Sequence, residues 1–142
     1  MDHVVYLDYR AKELDNLRKG VKTMIIRGAM GRKLPYGKVN PGDRLYFIEN
    51  RGDGLIKGSA VVSSVLNSDK LTADESHKLV HSHQDKLHLD SGLIKRFSGK
   101  RYLVLITISD FSDSGQFRID RSAYGNMDDW LPVGDIRSVK IE

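Results

Sequence analysis

The alternation of apolar and polar residues cuts the chain into short segments. Residues 3–8 (HVVYLD) are β-branched and aromatic and predict a strand. Residues 10–19 place Ala11, Leu14 and Leu17 at helical spacing, Val21 continues it, and Gly20 supplies a stop. Residues 22–27 (KTMIIR) predict a second strand. Residues 28–43 hold four glycines with Pro35 and Pro41 and predict a loop. Loops of this length in compact domains are usually functional or mobile. Residues 44–50 and 55–66 predict a hairpin across Arg51-Gly52-Asp53-Gly54. Residues 71–89 predict a helix with Leu71, Leu79, Val80, His83 and Leu87 on one stripe, and residues 91–97 a shorter one. Residues 101–109 (RYLVLITIS) predict a strand, and 116–120 and 137–141 two short strands. The segment between these last two, YGNMDDWLPVGD, is turn-rich. Hairpins dominate and regular βαβ alternation is absent. The pattern predicts one α+β domain over 1–142, a small, mostly antiparallel β-barrel with flanking helices.

Composition narrows the chemistry. The chain has 142 residues, 39% hydrophobic and 30% charged, a globular balance. Cysteine is absent, which excludes disulfides, thiolate metal sites and thiol nucleophiles. No apolar run approaches the roughly 20 residues of a membrane helix, and the N-terminus lacks the pattern of a secretory signal. The expectation is a cytoplasmic protein with no membrane partner. The formal net charge is +4, concentrated toward the N-terminus. Residues 10–38 carry nine Lys and Arg against Glu13 and Asp15. Such a field attracts polyanions, of which nucleic acid is the commonest.

Three segments in order carry a family resemblance. Gly20-Val21-Lys22-Thr23-Met24-Ile25-Ile26-Arg27 fits G-x-K-x-x-x-x-R. Pro41-Gly42-Asp43-Arg44-Leu45-Tyr46-Phe47 resembles a "v-x-x-G-D-x-l-x-f" strand start, and Gly58-Ser59-Ala60-Val61-Val62-Ser63-Ser64-Val65 a "G-x-a-x-V-x-x-v" strand. Leu71-Thr72 then opens a helix. Together they resemble ASCH domains of the PUA-like superfamily over about residues 3–110, leaving 111–142 as a C-terminal extension. The resemblance implies a PUA-like barrel with a basic cleft for RNA or a modified nucleotide. Some ASCH-like proteins are amidohydrolases acting on acetylated cytidine, and one is described as a ribonuclease. In the amidohydrolases a Thr stands three residues after the Lys, where this chain has Ile25. Thr23 shares the Ile25 face but lies about 6.6–6.8 Å along the strand. Those enzymes also carry a Glu in the helix after the fourth strand, near Leu79 here, with Glu75 as a stand-in.

The candidate nucleic-acid contacts are Lys22, Thr23, Arg27, Arg32, Lys33 and Tyr36. A Lys binds phosphate as a point charge or, when desolvated, acts as a base, so Lys22 is the catalytic candidate should the chain be an enzyme. Strand periodicity puts Lys22 and Arg27 on opposite faces unless a bulge intervenes or Lys22 precedes the strand. In the long loop, Gly28, Gly31 and Gly37 permit close backbone approach, Arg32 and Lys33 supply charge, and Tyr36 a stacking face. The run Lys95–Arg101 extends the charge or is merely solvated. Tyr124, Asn126 and Trp130 form a candidate base pocket, against the plainer reading that Trp130 docks the tail. Asp74, His77 and His81 have helix-face spacing for a metal, but H-x-x-x-H lacks the Glu of H-E-x-x-H, and no metal or cofactor is expected. The leading expectation is an RNA- or modified-nucleotide-binding domain. The alternatives are an RNA-directed enzyme (ribonuclease or acylated-cytidine amidohydrolase) and a small-ligand-sensing regulatory domain.

Overall fold

A computed structural model describes residues 1–113, 115–125 and 127–141. In chain order the elements are β1 (Asp2–Leu7), α1 (Glu13–Arg18), β2 (Met24–Ala29), β3 (Arg44–Glu49), β4 (Leu55–Asn67), α2 (Ala73–Ser82), α3 (Gln84–Leu87), α4 (Ser91–Phe97), β5 (Tyr102–Ser112), β6 (Phe117–Ile119), β7 (Trp130–Gly134), a 3-10 turn (Ile136–Ser138) and β8 (Lys140–Ile141). The strands form one curled sheet in the order β2-β5-β4-β3-β1-β7, with β6 bridging β4 and β8. Only the β1–β3 pair is parallel among the described pairings. The result is a half-barrel with four helices, the α+β arrangement expected. Among the described residues no helix is long and apolar enough to cross a membrane.

The period-two reading of β2 explains how the layers join. Ile25 faces the barrel interior with Val5, Leu45, Phe47 and Ile106. Met24 and Ile26 face the other way, under Val80, Leu87, Leu93 and Phe97 of the helices. β2 is therefore buried on both sides, which ties the helices to the barrel by apolar burial. α2 begins with a capping box, the Thr72 side chain accepting from Glu75 N–H and the Glu75 carboxylate from Thr72 N–H. Asp90 caps α4 by accepting from Leu93 N–H.

Several boundaries differ from the sequence expectation. The first helix begins at Glu13 because the Asp8 carboxylate takes Ala11 N–H and Lys12 adopts a left-handed backbone. The 71–89 helix breaks at His83, which leaves helical geometry between α2 and α3. Residues 136–138 form a 3-10 turn, so the last strand shrinks to 140–141. The turn-rich segment contains β7, paired antiparallel to β1. Its Pro132 masks it in sequence. A proline is tolerated there because β7 ends the strand path and needs no second partner.

Candidate functional site

The Lys22 environment starts from the α1–β2 connection. Gly20, at φ 76°, ends the helix in a conformation that glycine adopts at little cost. The chain turns and Lys22 N–H bonds back to Asn16 O. β2 starts only at Met24, so Lys22 precedes the strand and escapes its alternation. Its side chain is 1% exposed. Nζ donates to Leu87 O at 2.6 Å and lies 3.3 Å from Glu13 Oε2. Burial pushes the Lys22 ammonium below the ordinary lysine range, the Glu13 carboxylate opposes that shift, and Arg27 adds to it. Glu13 is itself held by Asp8 N–H on Oε1 at 2.8 Å. Thr23 joins elements through its backbone, donating to Lys86 O and accepting from Ile108 N–H, with an exposed side chain.

Arg27 sits on the Ile25 side of β2 and is 7% exposed. Nη1 donates to Ile26 O at 2.8 Å and Nη2 to Tyr6 O at 2.6 Å. Nε lies 3.3 Å from Asp129 Oδ2, yet makes no hydrogen bond among the described residues. The guanidinium stands 5.6 Å from the Trp130 ring centroid. Trp130 is 1% exposed and belongs to the barrel core. Its Nε1–H donates to His3 Nδ1 at 3.0 Å, so the His3 proton is assigned to Nε2, which donates to Asp43 Oδ2 at 2.9 Å.

Of the base pocket expected from Tyr124, Asn126 and Trp130, the structure places Trp130 and Tyr124 in different apolar clusters. Trp130 is 1% exposed in the barrel core, with the Arg27 guanidinium over its ring. Tyr124 packs in a separate apolar cluster with Leu131 and Val133, its hydroxyl toward Pro132 O. Asn126 lies outside the described residues. Glu75 also has a structural role, since its carboxylate closes the α2 capping box.

An open cleft of about 430 Å³ lies between the start of α1, the Arg51-Gly52-Asp53-Gly54 turn, α4 and the segment before β7. Its walls carry Arg27, Arg51, Arg96 and Arg121 together with Tyr6 and Phe97. Asp8, Glu13, Glu49, Asp128 and Asp129 also line it. The cleft is of mixed charge rather than uniformly basic. Arg121 stacks over Tyr6 at 5.1 Å and Arg96 over Phe97 at 5.2 Å. Burial raises the Glu49 carboxyl above its ordinary range, only partly offset by Lys57. Lys22 does not line the cleft, whereas Glu13, its ion-pair partner, does. The motif Lys and Arg are thus neighbours, but only Arg27 faces the opening.

A smaller hollow of about 60 Å³ adjoins the cleft and is lined by Gly28, Gly31, Lys33, Tyr36, Tyr102 and Arg96, among others. A Cβ at Gly28 would meet Leu103 Cδ2 at 2.7 Å, so a side chain there requires the buried Leu103 side chain to shift. The long loop, residues 30–43 after β2, is pinned down. Tyr36 Oη donates to Ser68 O at 2.7 Å, and Gly37 N–H donates to the Asn67 side chain. The Arg32 guanidinium lies 5.8 Å from the Tyr36 ring and 5.5 Å from that of Tyr102. Lys33 is exposed at the rim. Lys33 and Tyr36 therefore line the small hollow and Arg32 packs on its Tyr36 and Tyr102 rings, while Lys22 and Thr23 line neither opening.

Sequence reasoning missed Glu13, Tyr6, Arg51 and Arg121. Glu13 left a trace, since it shares a face with the apolar Leu17 one turn later. Arg51 and Arg121 left none, because their convergence is set by tertiary pairing. The His77 and His81 rings stack with centroids 6.5 Å apart. Among the described residues no group of three His, Cys, Asp or Glu is arranged to hold a metal ion.

Solved structures supply the comparison. The chain superposes on the ASCH protein of Zymomonas mobilis with a TM-score of 0.66 at 14% identity, covering 99% of this chain and 96% of that one. A point mutant of that ASCH protein gives 0.70 at 13% identity, with coverages of 96% and 93%. The chain has the ASCH-domain, PUA-like fold. The sequence matches no protein-family model and no curated protein. At such identities the likeness concerns the ASCH fold, and what the cleft does must be argued from its own residues.

Proposed function

We propose that this ASCH-fold chain binds RNA or a modified nucleotide in the arginine-lined cleft. The observation that supports this reading most is the joining of Arg27, Arg96 and Arg121 with Tyr6 and Phe97 around about 430 Å³ of open space. That volume falls within the range of about 300–1,000 Å³ typical of small-ligand sites. Guanidinium forks suit phosphate, arginine and aromatic planes suit an unstacked base, and carboxylates accept from base amino groups. The five interspersed carboxylates argue against a polyanion track along a duplex and for a single-stranded or single-nucleotide ligand. A short single-stranded RNA should bind at low salt, with affinity falling as salt rises. Arg96→Ala combined with Arg121→Ala should weaken it about tenfold or more, since losing phosphate and stacking partners costs on the order of 1–3 kcal/mol. Absence of binding to RNA or mononucleotides at low salt would refute the reading and favour a small-ligand sensor.

A second reading, an RNA-directed hydrolase, is favoured by one observation. Glu13 lines the cleft wall, with Oε2 beside the buried Lys22 and Oε1 accepting from Asp8 N–H. In that reading Glu13 meets the substrate and Lys22 positions it. Time-dependent cleavage of RNA, or release of acetate from acetylated cytidine, lost in Glu13→Gln would separate it from simple binding.

A further inference from the structure

The cleft and the small hollow share one wall, made by Arg27, Arg96, Phe97 and Asp129. Asp129 is that wall's only carboxylate among the described residues. Its Oδ2 lies 3.3 Å from Arg27 Nε and 3.8 Å from Arg96 Nη2. One anionic oxygen between two guanidinium groups occupies the position that a phosphate oxygen takes in arginine recognition.

The pairing with Asp129 is incomplete. Arg27 is more than nine-tenths buried, and each of its terminal nitrogens donates one hydrogen bond, to Ile26 O and Tyr6 O. Its Nε–H, buried and 3.3 Å from Asp129 Oδ2, forms no hydrogen bond among the described residues. A buried charged donor in that state favours any better-placed acceptor. Asp129 is free to yield. Its side chain is 44% exposed, and the bond that holds its segment to β1 uses the backbone, Tyr6 N–H donating to Asp129 O at 3.0 Å.

We infer that the shared wall is a phosphate site, where Arg27 Nε and Arg96 hold one phosphate of the bound nucleotide and Asp129 is the resident counter-ion that this phosphate displaces. The inference deepens the nucleotide reading and rests on it for the nucleoside half. The phosphate half stands on the wall itself. A phosphate here directs the attached nucleoside into the cleft beside Tyr6 and the next phosphate toward Lys33. A free mononucleotide and an RNA backbone both supply that group.

The test titrates inorganic phosphate, uridine, uridine 5′-monophosphate and a short oligouridylate into the wild-type chain and Asp129→Asn, following arginine Nε–H resonances by NMR. Phosphate and the monophosphate should shift the Arg27 Nε–H resonance, and uridine should not. Asp129→Asn, isosteric and with its backbone bond intact, should tighten phosphate and monophosphate by up to about fivefold, as expected for removing a half-exposed competing ion pair. An Arg27 resonance indifferent to phosphate in the wild type, or an Asp129→Asn variant that binds phosphate no tighter, overturns the inference. Should phosphate bind while oligouridylate does not, the site stands and the RNA reading falls. Should oligouridylate bind with Arg27 silent and Asp129→Asn neutral, the RNA reading stands and the site falls.

Discussion

Two groups of charged side chains meet behind and within the cleft. Lys22 lies behind it, desolvated and bonded to Leu87 O, and is paired with Glu13, a largely buried carboxylate of the cleft wall that accepts from Asp8 N–H. Arg27 and Arg96 face it, and one Arg27 donor there remains unspent. Both sets carry cations, and both fall in sequence runs suited to anion binding. The difference is accessibility. A cation paired inside the fold stabilises geometry, whereas one with an incompletely paired donor at a cleft wall suits the proposed ligand. The Lys of a G-x-K-x-x-x-x-R pattern therefore need not touch what the Arg touches.

The sharpest way to break that contrast is to remove half of the sealed pair. Lys22→Met leaves the buried Glu13 without its cation and should cost about 3–5 kcal/mol in chemical denaturation, with Glu13→Leu in the same chain restoring much of the loss. A loss below about 1 kcal/mol, the level of a solvent-exposed pair, would show the pair is not sealed. Next in size is Trp130→Phe. It removes the indole donor to buried His3 Nδ1 and should cost about 1–3 kcal/mol. It should also loosen the face against which Arg27 packs, so RNA affinity should drop in parallel with thermal stability.

Acid should act on the same buried cluster through Asp43. Burial raises its carboxyl, but hydrogen bonds from His3 and Asn40 N–H outweigh that and hold it below its ordinary value of 3.8. A carboxyl with a depressed folded value binds fewer protons folded than unfolded. Its stabilisation is therefore complete above the ordinary value and lost as pH falls from there through the folded one. Asp43→Asn should flatten the unfolding free energy against pH in that acid window. A slope identical to wild type would contradict the assignment. The smallest effect belongs to Glu75→Ala, which opens the α2 capping box for about 1 kcal/mol. RNA affinity should not change, because Glu75 lies in neither opening. A loss of binding there would return Glu75 to the site.

Much of the scaffold is legible in the sequence. The alternation in β2 tells which residues face the barrel and which the helices, and Thr72 with Glu75 forms a recognisable helix start. β7 is hidden because Pro132 reads as a strand breaker, and only its edge position makes it acceptable. The site is legible in part. Arg27 lines the cleft and the Arg32–Lys33–Tyr36 loop gathers at the small hollow, but Lys22 turns inward to Glu13. No local pattern announces which of several lysines and arginines the fold will bury. That choice depends on a carboxylate nine residues earlier in the chain and on a carbonyl from α3. Arg51, Arg96 and Arg121 come from three separate segments, so only the folded chain brings them to one opening.

The most direct measurement is chemical-shift mapping of a short oligouridylate on the labelled chain, read together at Lys22 and at the arginines. Perturbations should centre on Arg27 Nε–H, Arg96, Arg121 and Tyr6, with the Lys22 ammonium unmoved beyond secondary shifts. Perturbations that centre instead on the Tyr46, Phe117 and Lys140 hollow at the far end of the sheet, or direct contact at Lys22, would contradict the account.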